Sequence, residues 1–153
     1  MPHISILQTG SLFDSGCPVL VNPVNIEGIC GKGLALAFKE RFPAHYQAYK
    51  KVCEDGLLRP GSIFIDDLTS PCLLIAFATK RRWRDPSQLH WIKEGMAVLV
   101  ETLNERPEVN SLALPALGCG LGSLRFDDVQ LVIVDALQGI TRPDFEVKLY
   151  APQ

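Results

Sequence analysis

An α/β fold is the architecture this sequence predicts, with a largely parallel or mixed sheet between layers of helix. Short apolar runs alternate with stretches of helical spacing through most of the chain, the pattern of strands joined by crossover helices. The run Leu73–Phe77 is continuously apolar, as expected of a strand buried on both faces. Leu89, Ile92, Met96, Leu99 and Leu103 recur at intervals of three and four, which puts them on one face of a helix. Neither an internal repeat nor a Gly/Ser- or Pro-rich linker interrupts the 153 residues, so one domain over 1–153 is expected.

The elements follow in order. Ile4–Leu7 reads as a strand, and Val19–Asn22 as the next, with Pro18 before it and Pro23 after it. Leu34, Ala35, Phe38 and Phe42 share a helical face, and Pro43 stops or kinks that helix. A second helix carries Tyr46, Tyr49, Val52 and Cys53 on one stripe. Arg59-Pro60-Gly61 is a turn leading into the strand Ser62–Ile65. After Leu73–Phe77 and the long helix, Leu112–Pro115 is another buried strand. Asp127 or Asp128 is placed to cap a helix running to about Leu137; the Val-Ile-Val content of that stretch suits a strand as well. Phe145, Val147 and Leu149 alternate with polar residues, as in a half-buried last strand.

Composition bounds the function. Hydrophobic residues are 47 %, charged residues 21 %, and the mean hydropathy is +0.14, values of an ordered globular chain. Lys+Arg 15 against Asp+Glu 17 gives a net charge of −2 and a pI near 5.9. That argues against a polycation coating duplex DNA, and leaves local basic clusters open. No apolar run reaches the roughly 18–20 residues of a bilayer span. The N-terminal Met-Pro-His-Ile-Ser lacks a basic region followed by an apolar stretch, so neither a secretory signal nor a membrane partner is expected. Cys17, Cys30, Cys53, Cys72 and Cys119 are scattered, with no CxxC pair. Reduced thiols in a cytoplasmic protein are the expectation, with no zinc or other metal site.

Three segments after strands carry the chemistry. Asn22-Pro23-Val24-Asn25 leads into a loop with Gly28, Gly31 and Gly33 before a helix. Its asparagines suit sugar hydroxyls, and its glycines expose N–H groups at a helix start, where anions bind. The stretch Gly118-Cys119-Gly120-Leu121-Gly122 repeats that logic after Leu112–Pro115, and the pair suggests a diphosphate held between them. Neither loop has a P-loop ending or the GxGxxG spacing of a dinucleotide site. Cys119 has no histidine beside it in sequence and is read as a small residue packed under the loop, not a nucleophile. The third segment is Thr79-Lys80-Arg81-Arg82-Trp83-Arg84. A lysine so close to a buried strand end is placed to enter a cleft, where desolvation lowers its pKa and makes it a nucleophile. Arg81, Arg82 and Arg84 with Trp83 suit a phosphodiester and a stacked base.

These motifs resemble the macrodomain family. Val21-Asn22-Pro23-Val24-Asn25 with Gly31-Lys32-Gly33-Leu34-Ala35 looks like its first ligand loop, and Leu117–Gly122 like its second. Arg59-Pro60-Gly61, Phe42-Pro43 through Tyr49, and Thr79-Lys80 with Trp83-Arg84 resemble the DarG-type branch, which removes ADP-ribose from thymidine bases in DNA. The resemblance implies a three-layer α/β/α sandwich around a mixed, mostly parallel sheet that binds ADP-ribose. It implies Asn22, Asn25, Gly31, Lys32 and Gly33 at the proximal ribose, and Gly118, Cys119, Gly120, Leu121 and Gly122 around the diphosphate. Ser11 and Leu12 fall at the adenine end, where Ser11 replaces the family's acid, and Thr79 falls beside Lys80. Lys80 matches the catalytic lysine. A related protein glycohydrolase has an aspartate where this chain has Gly122, which disfavours cleavage of protein-glutamate esters.

The expected function is therefore an ADP-ribosyl glycohydrolase, DarG antitoxin-like, acting on thymidine-linked ADP-ribose in single-stranded DNA without a cofactor. Lys80 would attack C1″ of the proximal ribose or stabilise it electrostatically, and Arg81, Arg82, Trp83 and Arg84 would contact the strand. Pairing with a DNA ADP-ribosyltransferase toxin is implied; direct toxin binding is not expected of this chain. The alternatives are a hydrolase of protein-linked ADP-ribose or O-acetyl-ADP-ribose, and a non-catalytic ADP-ribose-binding module.

Overall fold

A computed structural model of the chain describes residues 1–67 and 72–153. Among these the elements are β1 (His3–Leu7), a 3-10 turn (Leu12–Asp14), β2 (Val19–Asn25), α1 (Gly33–Arg41), α2 (Pro43–Glu54), β3 (Ile63–Asp66), β4 (Leu73–Lys80), α3 (Leu89–Asn104), β5 (Ser111–Pro115), α4 (Phe126–Leu137) and β6 (Glu146–Tyr150). The strands form one sheet in the order β1-β6-β5-β2-β4-β3. Only β3 runs antiparallel to its neighbour, so the sheet is mixed and mostly parallel, as predicted.

Strand alternation explains the layers. Val19 and Val21 of β2 and Ile75 and Phe77 of β4 meet α3 and α4 through Ile92, Met96, Leu99, Val129 and Ile133. The intervening Leu20 and Leu74 meet Phe38 of α1, and Val24, Ala76 and Ala78 meet Tyr49 of α2. With a helix layer on each face, β4 has no solvent side for a polar residue until its last two positions. Each large apolar side chain buried this way contributes roughly 1.5–3 kcal/mol.

The approach of α3 to β4 is close at Gly95, where a Cβ would lie 2.2 Å from Cζ of Phe77. Gly95→Ala is expected to destabilise the protein by about 1–3 kcal/mol through overpacking. A lowered urea midpoint at unchanged slope checks it.

Residues 132–134 are helical, in keeping with the expected helix to about Leu137: Val129, Ile133 and Leu137 fall on one buried face of α4, and tertiary packing overrides the β-branched character of the stretch. Two expectations are corrected. Asp127 and Asp128 do not cap α4; they stand in its first turn, where they complement the helix dipole, and Arg125 holds the N-cap position. Pro23 does not end β2. The carbonyl of Pro18 and the amide of Ile26 both bond toward β4, so odd-numbered β2 amides point toward β5. There the paired residues are Leu20↔Ala113 alone, and Pro23 forfeits no ladder bond.

Candidate functional site

The loops leaving β2, β4 and β5 converge at the carboxyl ends of these strands. The β2 loop departs for the α1/α2 face, the others for the α3/α4 face, which opens a crevice between them. It encloses a cavity of about 810 Å³, within the range of small-molecule sites.

Two sets of backbone donors border it. At the start of α1 the N-cap residue Lys32 makes no side-chain cap bond, and the first intrahelical bond runs from the Leu36 amide to the Lys32 carbonyl. The amides of Gly33, Leu34 and Ala35 are left for a ligand, and these residues line the cavity with Gly31 and Lys32. Across from them, among the described residues, the amides of Gly120, Leu121 and Gly122 donate to no protein acceptor. Gly118 sits at φ +75, a conformation that favours glycine, and its carbonyl accepts the Leu124 amide to close the turn. Leu121 reaches over from this loop until its Cδ1 is 3.9 Å from where a Cβ on Gly33 would stand.

Lys80 lines the same cavity from the end of β4, next to β2 on the side away from β5. The register of β2 on β4 steps from Val24↔Ala78 to Asn25↔Lys80, so Thr79 is an extra residue. A bulge breaks strict alternation, and Thr79 and Lys80, though consecutive, both line the cavity. The Lys80 side chain is 8 % exposed, and its Nζ donates to the Trp83 carbonyl at 2.8 Å. Burial holds its pKa below the ordinary lysine value, against the opposing pull of Asp85. Thr79 is also buried, its hydroxyl directed to the Val24 carbonyl at 3.4 Å.

Asn25 lines the cavity, and its amide also builds the loop. Nδ2 donates to the Ile29 carbonyl at 2.8 Å, and Oδ1 accepts the Glu27 amide at 3.0 Å. The Tyr49 hydroxyl anchors it from α2, 2.7 Å from its backbone oxygen. Ser11 and Leu12 also line the cavity, and the Ser11 hydroxyl caps the 3-10 turn by accepting the Phe13 amide.

Two expected contacts are corrected. Asn22 is not in the cavity wall. It lies on the α1/α2 face of β2, where Nδ2 meets Nε2 of His45 at 3.2 Å and Oδ1 is buried with no partner among the described residues. Cys119 also stands apart. The tight turn commits its amide to the Ala116 carbonyl, and burial pushes its thiol up to about 11, which suits packing and not nucleophilic attack.

His45 donates through Nδ1 to Asp66 at 2.9 Å, which leaves Nε2 as the acceptor for Asn22. Burial lowers its pKa, with the Asp66 bond opposing. The unfolded chain therefore takes up a proton that the fold resists. Stability is expected to be full above about pH 6.5 and to fall as the pH drops below it. Urea midpoints between about pH 8 and pH 5 check this; a flat profile would contradict it.

The basic run divides. Trp83 lines the cavity beside Lys80, while Arg81 faces a second, smaller cleft with Arg59 and Trp91. Arg82 is paired with Asp85 at 2.9 Å, and Arg84 is exposed. Sequence reasoning missed the contribution of Tyr150 through Gln153, which also line the cavity. The clue was the position of the last parallel strand, whose carboxyl end opens on the same side of the sheet. Among the described residues no group of three or more His, Cys, Asp or Glu is placed to hold a metal ion.

The "Macro domain" family profile matches residues 21–133, from the middle of β2 through most of α4. The chain belongs to the macrodomain family. This macrodomain is 42 % identical over 146 residues to a DNA ADP-ribosyl glycohydrolase of Thermus aquaticus, with 94 % of the chain and 40 % of the relative aligned. It thus spans about two fifths of the length of the curated relatives it matches. Among solved structures it resembles the macrodomain of Mycobacterium tuberculosis DarG, with TM-score 0.88 and 38 % identity over 97 % of this chain and 99 % of that one. It also resembles Thermosipho africanus DarTG in complex with ADP-ribose, with TM-score 0.85 and 28 % identity over 99 % of this chain and 42 % of that one.

Proposed function

We propose that residues 1–153 form one macrodomain that binds ADP-ribose and removes it from thymidine bases in single-stranded DNA. The observation that carries the reading is Lys80, a buried amine in the wall of a cavity that two sets of uncommitted backbone N–H groups also border. The likeness to a DNA ADP-ribosyl glycohydrolase supports the choice of substrate. In this reading the amides of Gly33 to Ala35 and of Gly120 to Gly122 hold the diphosphate, which fixes the proximal ribose near Lys80. The amine attacks C1″ as the bond from C1″ to the base nitrogen breaks and that nitrogen takes up a proton. Water then releases ADP-ribose and restores the amine. Alternatively the ammonium stabilises the departing base while water attacks. A partner DNA ADP-ribosyltransferase that makes the modification, and a reducing cytoplasm consistent with five free cysteines, belong to the same proposal.

The test is release of ADP-ribose from a modified thymidine oligonucleotide, beside protein-glutamate-linked ADP-ribose and O-acetyl-ADP-ribose. Release from the oligonucleotide is expected. Turnover of another linkage alone would move the reading to that substrate, and calorimetric binding without any turnover would make this a binding module. Arg84 gives a further prediction. Arg84→Ala is expected to raise KM for the oligonucleotide and to reduce the log–log salt slope by about 0.7, the loss of one single-strand phosphate contact. Its affinity for free ADP-ribose is expected to be unchanged, as calorimetry would register.

A further inference from the structure

We infer that Glu27 is a positioning residue for Lys80, acting through the backbone of Trp83. This rests on the reading of Lys80 as the reacting amine. The Trp83 carbonyl is the acceptor that holds Lys80 Nζ, at 2.8 Å. The amide of the same residue donates to Oε1 of Glu27, also at 2.8 Å. Trp83 is thus held at both its backbone groups, once by the lysine it orients and once by a side chain 56 positions away in sequence.

Glu27 is itself placed. Its amide donates to Oδ1 of Asn25, and Asn25 is anchored by the Tyr49 hydroxyl from α2. A continuous set of hydrogen bonds therefore runs from the α2 layer through the β2–α1 loop to the reacting amine. Together with the bond from the Ile26 amide to the Arg81 carbonyl, it ties the first ligand loop to the segment after β4. An uncharged amine donating one N–H to the Trp83 carbonyl has its lone pair directed elsewhere, so the place of that carbonyl decides where the nucleophile points. A loose Trp83 would leave the amine free to rotate, and a small misplacement of a reacting group lowers the rate more than the affinity.

Two variants separate the acceptor from the charge. Glu27→Ala removes both; Glu27→Gln removes the charge and keeps an oxygen able to accept the Trp83 amide. Glu27→Ala is expected to lower kcat about fivefold, with KM changed less than about twofold, as for one lost hydrogen bond of a charged group. The second readout is independent of turnover: the titration of Lys80 followed by NMR of ¹³C-labelled lysine, assigned with Lys80→Arg. Without its fixed acceptor the buried ammonium is less stabilised, so Glu27→Ala is expected to move the midpoint down by about half a pH unit or more. Glu27→Gln is expected to keep the wild-type midpoint and most of kcat.

An unmoved midpoint in Glu27→Ala, or equal shifts in both variants, would overturn the inference. Wild type inert toward the oligonucleotide, with the shift present in Glu27→Ala only, would instead overturn the proposed substrate and leave the positioning role standing.

Discussion

Lys80→Ala is expected to reduce release of ADP-ribose from the thymidine oligonucleotide by at least about 100-fold, with the affinity for ADP-ribose changed by less than about tenfold. The asymmetry follows from the site. In the proposed reading, binding is spread over the backbone donors of two loops, whereas Lys80 is a buried amine in the wall of the cavity they border. Single-turnover assays with calorimetry check both halves, and equal turnover by variant and wild type would remove Lys80 from the mechanism. The pH profile then separates its two possible roles. Burial lowers the pKa of Lys80. If the neutral amine attacks, the rate rises with pH through that lowered value and levels above it. If the ammonium stabilises the leaving base, the rate is highest at low pH and falls through the same value.

Gly122→Ala is expected to weaken ADP-ribose binding about 10- to 100-fold, the effect of one or two diphosphate hydrogen bonds left unmade. A Cβ at this position would stand 2.3 Å from Oγ of Ser87 and 2.5 Å from the Gly118 carbonyl. The Ser87 hydroxyl can rotate about its own side-chain bond, but the backbone at Gly118 and Ser87 is held. The Gly118 carbonyl accepts the Leu124 amide at 2.9 Å, and the Ser87 amide donates to the Gly122 carbonyl at 2.9 Å. The loop must open to admit the methyl group, and its amides then no longer converge. Calorimetry reads the loss, and a thermal melt confirms that the fold persists; unchanged affinity would mean that the loop tolerates another path. The same crowding gives a physical reason why this chain carries no aspartate at 122: a carboxylate there requires a differently routed loop.

Much of this was legible in the chain. The stripe Leu89 to Leu103 is α3, and Leu73–Phe77 lies in β4, buried on both faces. Gly31 to Gly33, and Gly118 with Gly120 to Gly122, follow β2 and β5 and meet in one cavity with Lys80. Apolar periodicity and glycine placement are local properties, and a parallel sheet opens its sites at strand ends wherever such loops follow. The failure at Asn22 lies in the tertiary structure. Asn22 and Asn25 are alike as residue types, yet one lies under α2 against His45 and the other borders the cavity.

The sequence by itself determined the α/β class, the two donor loops and the lysine, because periodicity, glycine and charge are written residue by residue. Only the tertiary structure decided how they act. A one-residue bulge at Thr79 brings two consecutive side chains to one wall. The strand pairing around Pro23 lets β2 run on to Asn25, and a glutamate far away in sequence holds the carbonyl that holds Lys80. Each of these depends on which strand or loop stands opposite, and that is a property of the folded neighbourhood rather than of any local run of residues.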